Sequence, residues 1–202
     1  MPNGIPRAGQ FPRSLPSQPA IPDGFPLILY VGHLGYEPNI DAAGALARTI
    51  LPRVRDRLPA AKLVLAGRSP APPVRALVGL DGLSLVEDPH DIKPLLCADH
   101  LTIVPLAMGG GTRIKILEAM ALGVPVIATP LAVEGLGLIE GEEVLLSGTD
   151  EGLAEMAVGF CSDRARMASL RARAHGAAWS RFGPQAIRDA VRHGLGLDSP
   201  VR

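Results

Sequence analysis

LTIVPLAMGGGTRIKILEAMALGVPVIATP, residues Leu101–Pro130, contains an apolar run, three consecutive glycines, a helical pattern and a second apolar run. Leu101–Val104 reads as a strand, and the glycine loop at 109–111 leads into a helix from Thr112 to Leu122. Gly123 ends that helix, and Val124–Ala128 follows as another strand after an immediate turn. A strand, a glycine turn, a helix and a second strand form the unit from which parallel sheets are built.

The same alternation extends outward on both sides. Upstream, Leu27–Val31 is a short apolar run ending at Gly32, and Asp41 can cap a helix from Ala42 to Leu51 that Pro52 would stop before the basic stretch Arg53 to Arg57. Lys62–Ala66 reads as a strand ending at Gly67, and Leu83–Val86 as a weaker one. Asp91 caps a short helix through Cys97, with Pro94 tolerated in its first turn. Downstream, Glu143–Leu146 is a short strand. From Asp150 to Gly194 the chain reads as helix, rich in Ala and Arg and broken near Gly183 and Pro184. Residues 1–26 hold seven prolines and three glycines without periodicity, so they read as a linker or extended arm. The expected fold is α/β, a doubly wound parallel sheet over residues 27–160 with C-terminal helices from 161 to 202. Those helices have no strands left to cover, which implies that they pack elsewhere.

Composition agrees with this class and excludes others. Of 202 residues, 47% are hydrophobic but only 3% aromatic, so aliphatic side chains must fill the core, as they do between parallel strands and covering helices. Twenty basic residues balance twenty acidic ones, and a net charge of zero sets up no global field to draw the chain to nucleic acid or an anionic bilayer. Any phosphate binding must be local. Neither Cys97 nor Cys161 falls in a metal-ligand spacing, and both read as idle thiols of a reducing compartment. No apolar run is long enough to span a bilayer, and the first residues lack a signal-peptide pattern. The expected location is cytoplasmic, with peripheral membrane contact left open.

The chemistry concentrates at the glycine loop. Gly109, Gly110, Gly111 and Thr112 place free backbone N–H groups at a helix N-terminus, an anion site whose glycines let a diphosphate approach closely. Arg113 and Lys115 add mobile positive charge in the first turn, where it disfavours the helix by a few tenths of a kcal/mol up to about 1. That placement makes sense if an anion arrives there. Glu118 lies on a helix apolar nearly all round, so its carboxylate needs partners. Neighbouring sugar hydroxyls would serve; so would a plain pair with Lys115, three residues away. His33, just past the first strand, is either a phosphate or donor contact or a loop-lining residue. Asp91 is most simply a helix cap, with any binding role belonging to its main chain. Thr129 and Glu134 fit capping and turn roles.

The stretch PLAMGGGTRIKILEAMALGVPVIATPLAVEGL, residues 105–136, resembles the signature of the family 4 (group 1) retaining glycosyltransferases. YVGHLGYEPNIDAAG, residues 30–44, resembles the strand-and-loop opening of the same branch, and DIKPLLCAD, residues 91–99, its Asp-led helix. Pro2-Asn3-Gly4-Ile5 is similar to the segment that opens the linker between the two domains of such enzymes. The resemblance implies the donor-binding, Rossmann-like half of a GT-B fold, with residues 161–202 packing on an N-terminal domain that this chain lacks. It implies that Glu118 holds the donor's ribose, matching the second glutamate of an E-x7-E motif whose first glutamate falls at Gly110. It implies that His33 and Pro38 stand where relatives carry diphosphate-binding cations, with Arg113 and Lys115 compensating.

The function implied is transfer of a hexose, with retention, from a nucleotide-diphosphate sugar to an acceptor, without metal or other cofactor, as in polysaccharide biosynthesis. Alone, the chain is expected to bind nucleotide and transfer little. Two other readings stay open: a non-catalytic nucleotide-binding remnant and a GT-B sugar-nucleotide epimerase.

Overall fold

In the computed structural model, residues 4–5, 9, 11–17, 26–98, 101–109 and 113–195 are described. Six strands form one parallel sheet: β1 (Leu27–His33), β2 (Lys62–Arg68), β3 (Leu83–Glu87), β4 (Leu101–Val104), β5 (Val126–Ala128) and β6 (Leu145–Leu146). Their order is β3-β2-β1-β4-β5-β6, so the chain runs outward from β1 to β3, then crosses back to lay β4 on the other side of β1. The direction of winding reverses between β1 and β4, the place where open α/β sheets bind ligands. All four residues of β4 are buried, as a central strand covered on both faces requires.

The doubly wound parallel sheet is therefore present, with instructive differences in detail. The first helical stretch is not Ala42 to Leu51 stopped by Pro52. Helix α1 (Glu37–Ala45) runs through a π-helical turn, Leu46–Ile50, into α2 (Leu51–Arg57). A proline inside a regular helix removes one backbone bond and collides with the carbonyl four residues earlier. Here the wide turn shifts the register just ahead of Pro52: the Leu51 amide donates to the carbonyl of Leu46, five residues back. Arg53 Nη1 then takes the Thr49 carbonyl at 3.3 Å. The helix continues, and Val54 reaches the core fully buried.

Between β2 and β3 lies the one-turn helix α3 (Pro72–Arg75), and between β3 and β4 lies α4 (Lys93–Ala98). Helix α5 (Ile114–Ala121) joins β4 to β5 and is buried on most of its surface, including Glu118. The strand after it starts at Val126 rather than Val124, because Pro125 precedes it and gives only its carbonyl, to the Thr102 amide.

Three helices follow among the described residues: α6 (Asp150–Ser162), α7 (Arg164–Phe182) and α8 (Pro184–Gly194). Thr149 and Asp163 cap α6 and α7 by accepting from Gly152 N and Arg166 N. Helix α6 packs on α2 and β5, and α7 packs on α5. Met167, Leu170, Ala174, Ala178 and Phe182 of α7 are part of the continuous core. Helix α8 buries no residue, and Val191 and Leu195 lie exposed at its end.

The N-terminal arm, where described, lies along α7. Ile5 is buried and its amide donates to the Phe182 carbonyl at 3.0 Å. Met1, Pro2 and Asn3 lie outside the described residues.

Candidate functional site

Two cavities open at the carboxyl ends of the strands, on either side of the start of α5. The larger, about 510 Å³, is lined by the ends of β1 and β2, by the segment from Pro89 to Ile92 after β3, and by Ile114 and Glu118 of α5. Its floor is bare main chain where Gly32 and Gly67 face each other in register across β1 and β2. A Cβ on Gly67 would lie 1.7 Å from the Gly32 carbonyl oxygen, so neither packing nor strand geometry admits a side chain there. The loops beyond β2 and β3 are held by Asp88 Oδ1, which accepts from the Ser69 amide at 2.9 Å. Ser69 and Asp88 both adopt positive φ, 50° and 45°, a conformation non-glycine residues rarely hold without a local requirement.

Around this floor stand His33, Arg68, His90 and Asp91, all exposed, and the buried carboxylate of Glu118. His33 and Glu118, singled out in the sequence, are thus in one cavity. Asp91 is there too, with its Oδ1 accepting from the Lys93 amide at 3.0 Å, which is the capping role expected of it. Arg68 and His90 were not anticipated. The signal for Arg68 was its place directly after Gly67, at the end of a buried strand, where a cation can reach a bound anion.

The smaller cavity, about 220 Å³, lies between α1 and α5 and includes Tyr36, Pro38, Asn39, Met108, Arg113 and Lys115. Gly109 borders it with φ 104°, and a Cβ there would meet Pro38 Cγ at 3.1 Å. Gly110, Gly111 and Thr112 lie outside the described residues.

Arg113 and Lys115 are not the mobile surface cations that their position in a first turn suggested. Arg113 is buried, with Nη2 donating to the Leu131 carbonyl at 2.8 Å and standing 3.8 Å from Glu134 Oε2. Lys115 Nζ donates to Tyr30 Oη at 2.8 Å and to Asn39 Oδ1 at 2.7 Å, not to Glu118. The Tyr30 hydroxyl itself donates to Asn39 Oδ1 at 2.7 Å, and burial pushes its pKa up. Burial, with the Arg113 charge nearby, pulls the Lys115 amine down to about 7. The cluster therefore holds an ammonium among neutral partners, beside a second cation.

Helix α5 has no side-chain cap among the described residues, and its N-cap residue, Arg113, is itself a donor. The Ile116 amide is taken by the Arg113 carbonyl at 3.0 Å, and the three residues ahead of Arg113 lie outside those described. Thr129 Oγ1 donates to the Leu106 carbonyl at 2.7 Å, fixing the loop that bears Gly109 rather than facing a ligand. Cys161 is a free thiol whose pKa burial pushes up to about 12, so it is inert as expected. No group of three or more potential metal ligands occurs among the described residues.

Residues 25–163 match the sequence model of the family described as Glycosyl transferases group 1. The chain belongs to this family. No curated protein matches it significantly. Solved glycosyltransferase structures share its fold. TarM superposes with a TM-score of 0.69 at 12% identity, covering 89% of this chain and 37% of TarM. HepE from Anabaena, solved with UDP and glucose, gives 0.67 at 18% identity, covering 86% of this chain and 48% of HepE. WaaG, a glycosyltransferase involved in lipopolysaccharide biosynthesis, gives 0.65 at 17%, covering 86% and 48%. This group 1 chain thus spans half or less of these structures. Its sheet and covering helices are one Rossmann-like unit of their GT-B architecture.

Proposed function

We propose that this group 1 chain is the donor-binding half of a retaining, cytoplasmic glycosyltransferase that moves a hexose from a nucleotide-diphosphate sugar to an acceptor held by a facing domain. The observation that carries this reading is the buried carboxylate of Glu118 in a 510 Å³ cavity at the sheet's switch point, one helical turn after the start of α5. A carboxylate in that position can accept from the two hydroxyls of a ribose, while the α5 amides and the Lys115 amine meet a diphosphate. The arrangement suits an anionic leaving group: charge that builds on the diphosphate as the glycosidic bond breaks meets preorganised donors, and the chain's own cations serve in place of a divalent ion. HepE binds UDP and UDP-glucose, which makes a uridine nucleotide the first ligand to try. The acceptor class that suits such enzymes is an envelope polysaccharide or lipid-linked sugar.

Thermal-shift titration with UDP, GDP, ADP and CMP, in the presence of EDTA, tests this. One nucleotide at a hundred times its Kd stabilises by about 2.7 kcal/mol, which moves Tm by roughly 5–10 °C for a chain this size. In Glu118→Gln the same ligand is expected to bind at least tenfold more weakly. A folded protein that responds to none of the four would overturn the reading in favour of a non-binding remnant.

A further inference from the structure

Three side chains at successive turns of α7 hold the N-terminal arm. Arg171 Nε donates to the Gly123 carbonyl at 2.7 Å, and its Nη2 donates to the Pro16 carbonyl at 2.9 Å. One turn on, His175 bonds the backbone of Pro12. Proline has no N–H, so the imidazole is the donor. One turn further, Trp179 Nε1 donates to His175 Nε2 at 3.1 Å, and Arg13 of the arm sits 5.8 Å above the indole ring. An indole N–H only donates, so Nε2 must be unprotonated and the bond to Pro12 comes from Nδ1. The bonds on both sides of this imidazole are therefore satisfied by one neutral tautomer. Leu15 packs on Gly123 so closely that a Cβ there would lie 2.4 Å from its Cδ1, which seats the arm on the turn ending α5.

We propose that His175 is the pin of a pH-sensitive latch: neutral, it clasps residues 11–17 to α7; protonated, it releases them. A proton on Nε2 would face the Trp179 N–H donor to donor, leaving the indole without an acceptor. It would also place a cation beside Arg171, on the preceding turn of α7, and Arg13 on the arm. The α5–β5 turn presents the Gly123 carbonyl, already engaged by Arg171. Helix α8 carries Asp189 and Arg188, both tied to Gln185. The carboxylates that reach α7 from the β5–β6 loop, Glu142 and Glu143, pair with Arg173 and Arg181. None of these compensates a charge on His175. The Pro12 carbonyl favours the proton, but burial outweighs it, and the net effect lowers the His175 pKa. The latch thus opens below the ordinary histidine range, in mildly acidic solution. Its consequence reaches α5, because one guanidinium joins both Gly123 and Pro16.

Trp179 is the only tryptophan in the chain, so its emission reports this contact directly. The test is a titration from pH 8 to 5 that follows Trp179 fluorescence and the NMR contacts between the Arg13 side chain and the Trp179 ring, with far-UV circular dichroism confirming that the sheet stays folded. The expected result is a fluorescence change with a midpoint below 6.5, and loss of the Arg13–Trp179 contacts over the same range. His175→Gln can still accept from the indole and donate to Pro12; its arm should keep those contacts across the range. A second variant, Trp179→Phe, removes the donor facing Nε2, and the His175 pKa read by NMR should rise. Contacts equally strong at pH 8 and 5, release that persists in His175→Gln, or an unmoved pKa in Trp179→Phe would each overturn the latch.

Discussion

The amine of Lys115 and the side-chain carbonyl of Asn39 lie 2.7 Å apart, joining the start of α5 to the start of α1. The bond lends the ammonium a dipole but no counter-charge, and burial leaves the amine with a pKa of about 7. An arriving diphosphate supplies the missing charge and raises that value, so nucleotide binding at pH 8 should take up as much as one proton. Calorimetric titrations in phosphate and in Tris, whose ionisation enthalpies differ, read the uptake. It should vanish in Lys115→Met. Superimposable heats in the two buffers would place the anion away from Lys115.

The same lysine sets a pH dependence of stability. Its unfolded pKa is near 10.4, so between pH 7 and 10.4 the unfolded chain binds the proton more tightly. The penalty for burying the charge is full below pH 7 and is relieved as pH rises. From pH 6.5 to 9, wild type should therefore gain about 2 kcal/mol relative to Lys115→Met. Urea denaturation at the two values checks the sign.

Arg68 is exposed on the rim of the larger cavity, so its truncation should spare the fold and affect only what enters. Arg68→Ala should keep the wild-type Tm within about 1–2 °C in the absence of ligand, since a free surface side chain contributes at most a few tenths of a kcal/mol. It should weaken nucleoside diphosphate binding about tenfold, the loss of one charge-assisted contact. Equal affinity in the variant would move the diphosphate away from β2.

Gly67→Ala forces a methyl into the Gly32 carbonyl, backbone against backbone between central strands. The expected cost is about 3 kcal/mol, the upper end for overpacking, because no side chain can turn aside. Ala substituted at Gly159, where a Cβ meets nothing within 4 Å, is the matched control and should not destabilise. Equal midpoints for the two variants would mean that β1 and β2 are less closely apposed than this register requires.

Much of the sheet was legible because its strands are apolar runs ended by glycine. Gly32 after Val31 and Gly67 after Ala66 marked the carboxyl ends of β1 and β2, where the larger cavity opens. Glu118 was legible for a related reason: a carboxylate on an otherwise apolar helix stands out in the pattern, and it is buried. The helix through Pro52 was not, because a single wide turn that changes the hydrogen-bond register leaves no mark in composition. Arg113 and Lys115 looked mobile because a helical wheel shows neighbours along one helix only. The partners of Lys115, Asn39 and Tyr30, lie 76 and 85 residues away in the chain. The arm was read from its prolines as a linker; Arg171, His175 and Trp179, which hold it, carry no signature beyond their four-residue spacing.

The paired glycines at the ends of β1 and β2 have an evolutionary consequence. A cavity whose floor is peptide groups has a base made of main chain, and the close approach of the Gly32 carbonyl blocks any residue larger than glycine at position 67. His33, Arg68 and His90 stand on the rim, exposed and free of the core. Sequence drift there can change the chemistry of the rim while the floor is inherited unchanged. The rim is therefore free to vary, while the floor is fixed by the approach of one backbone to another.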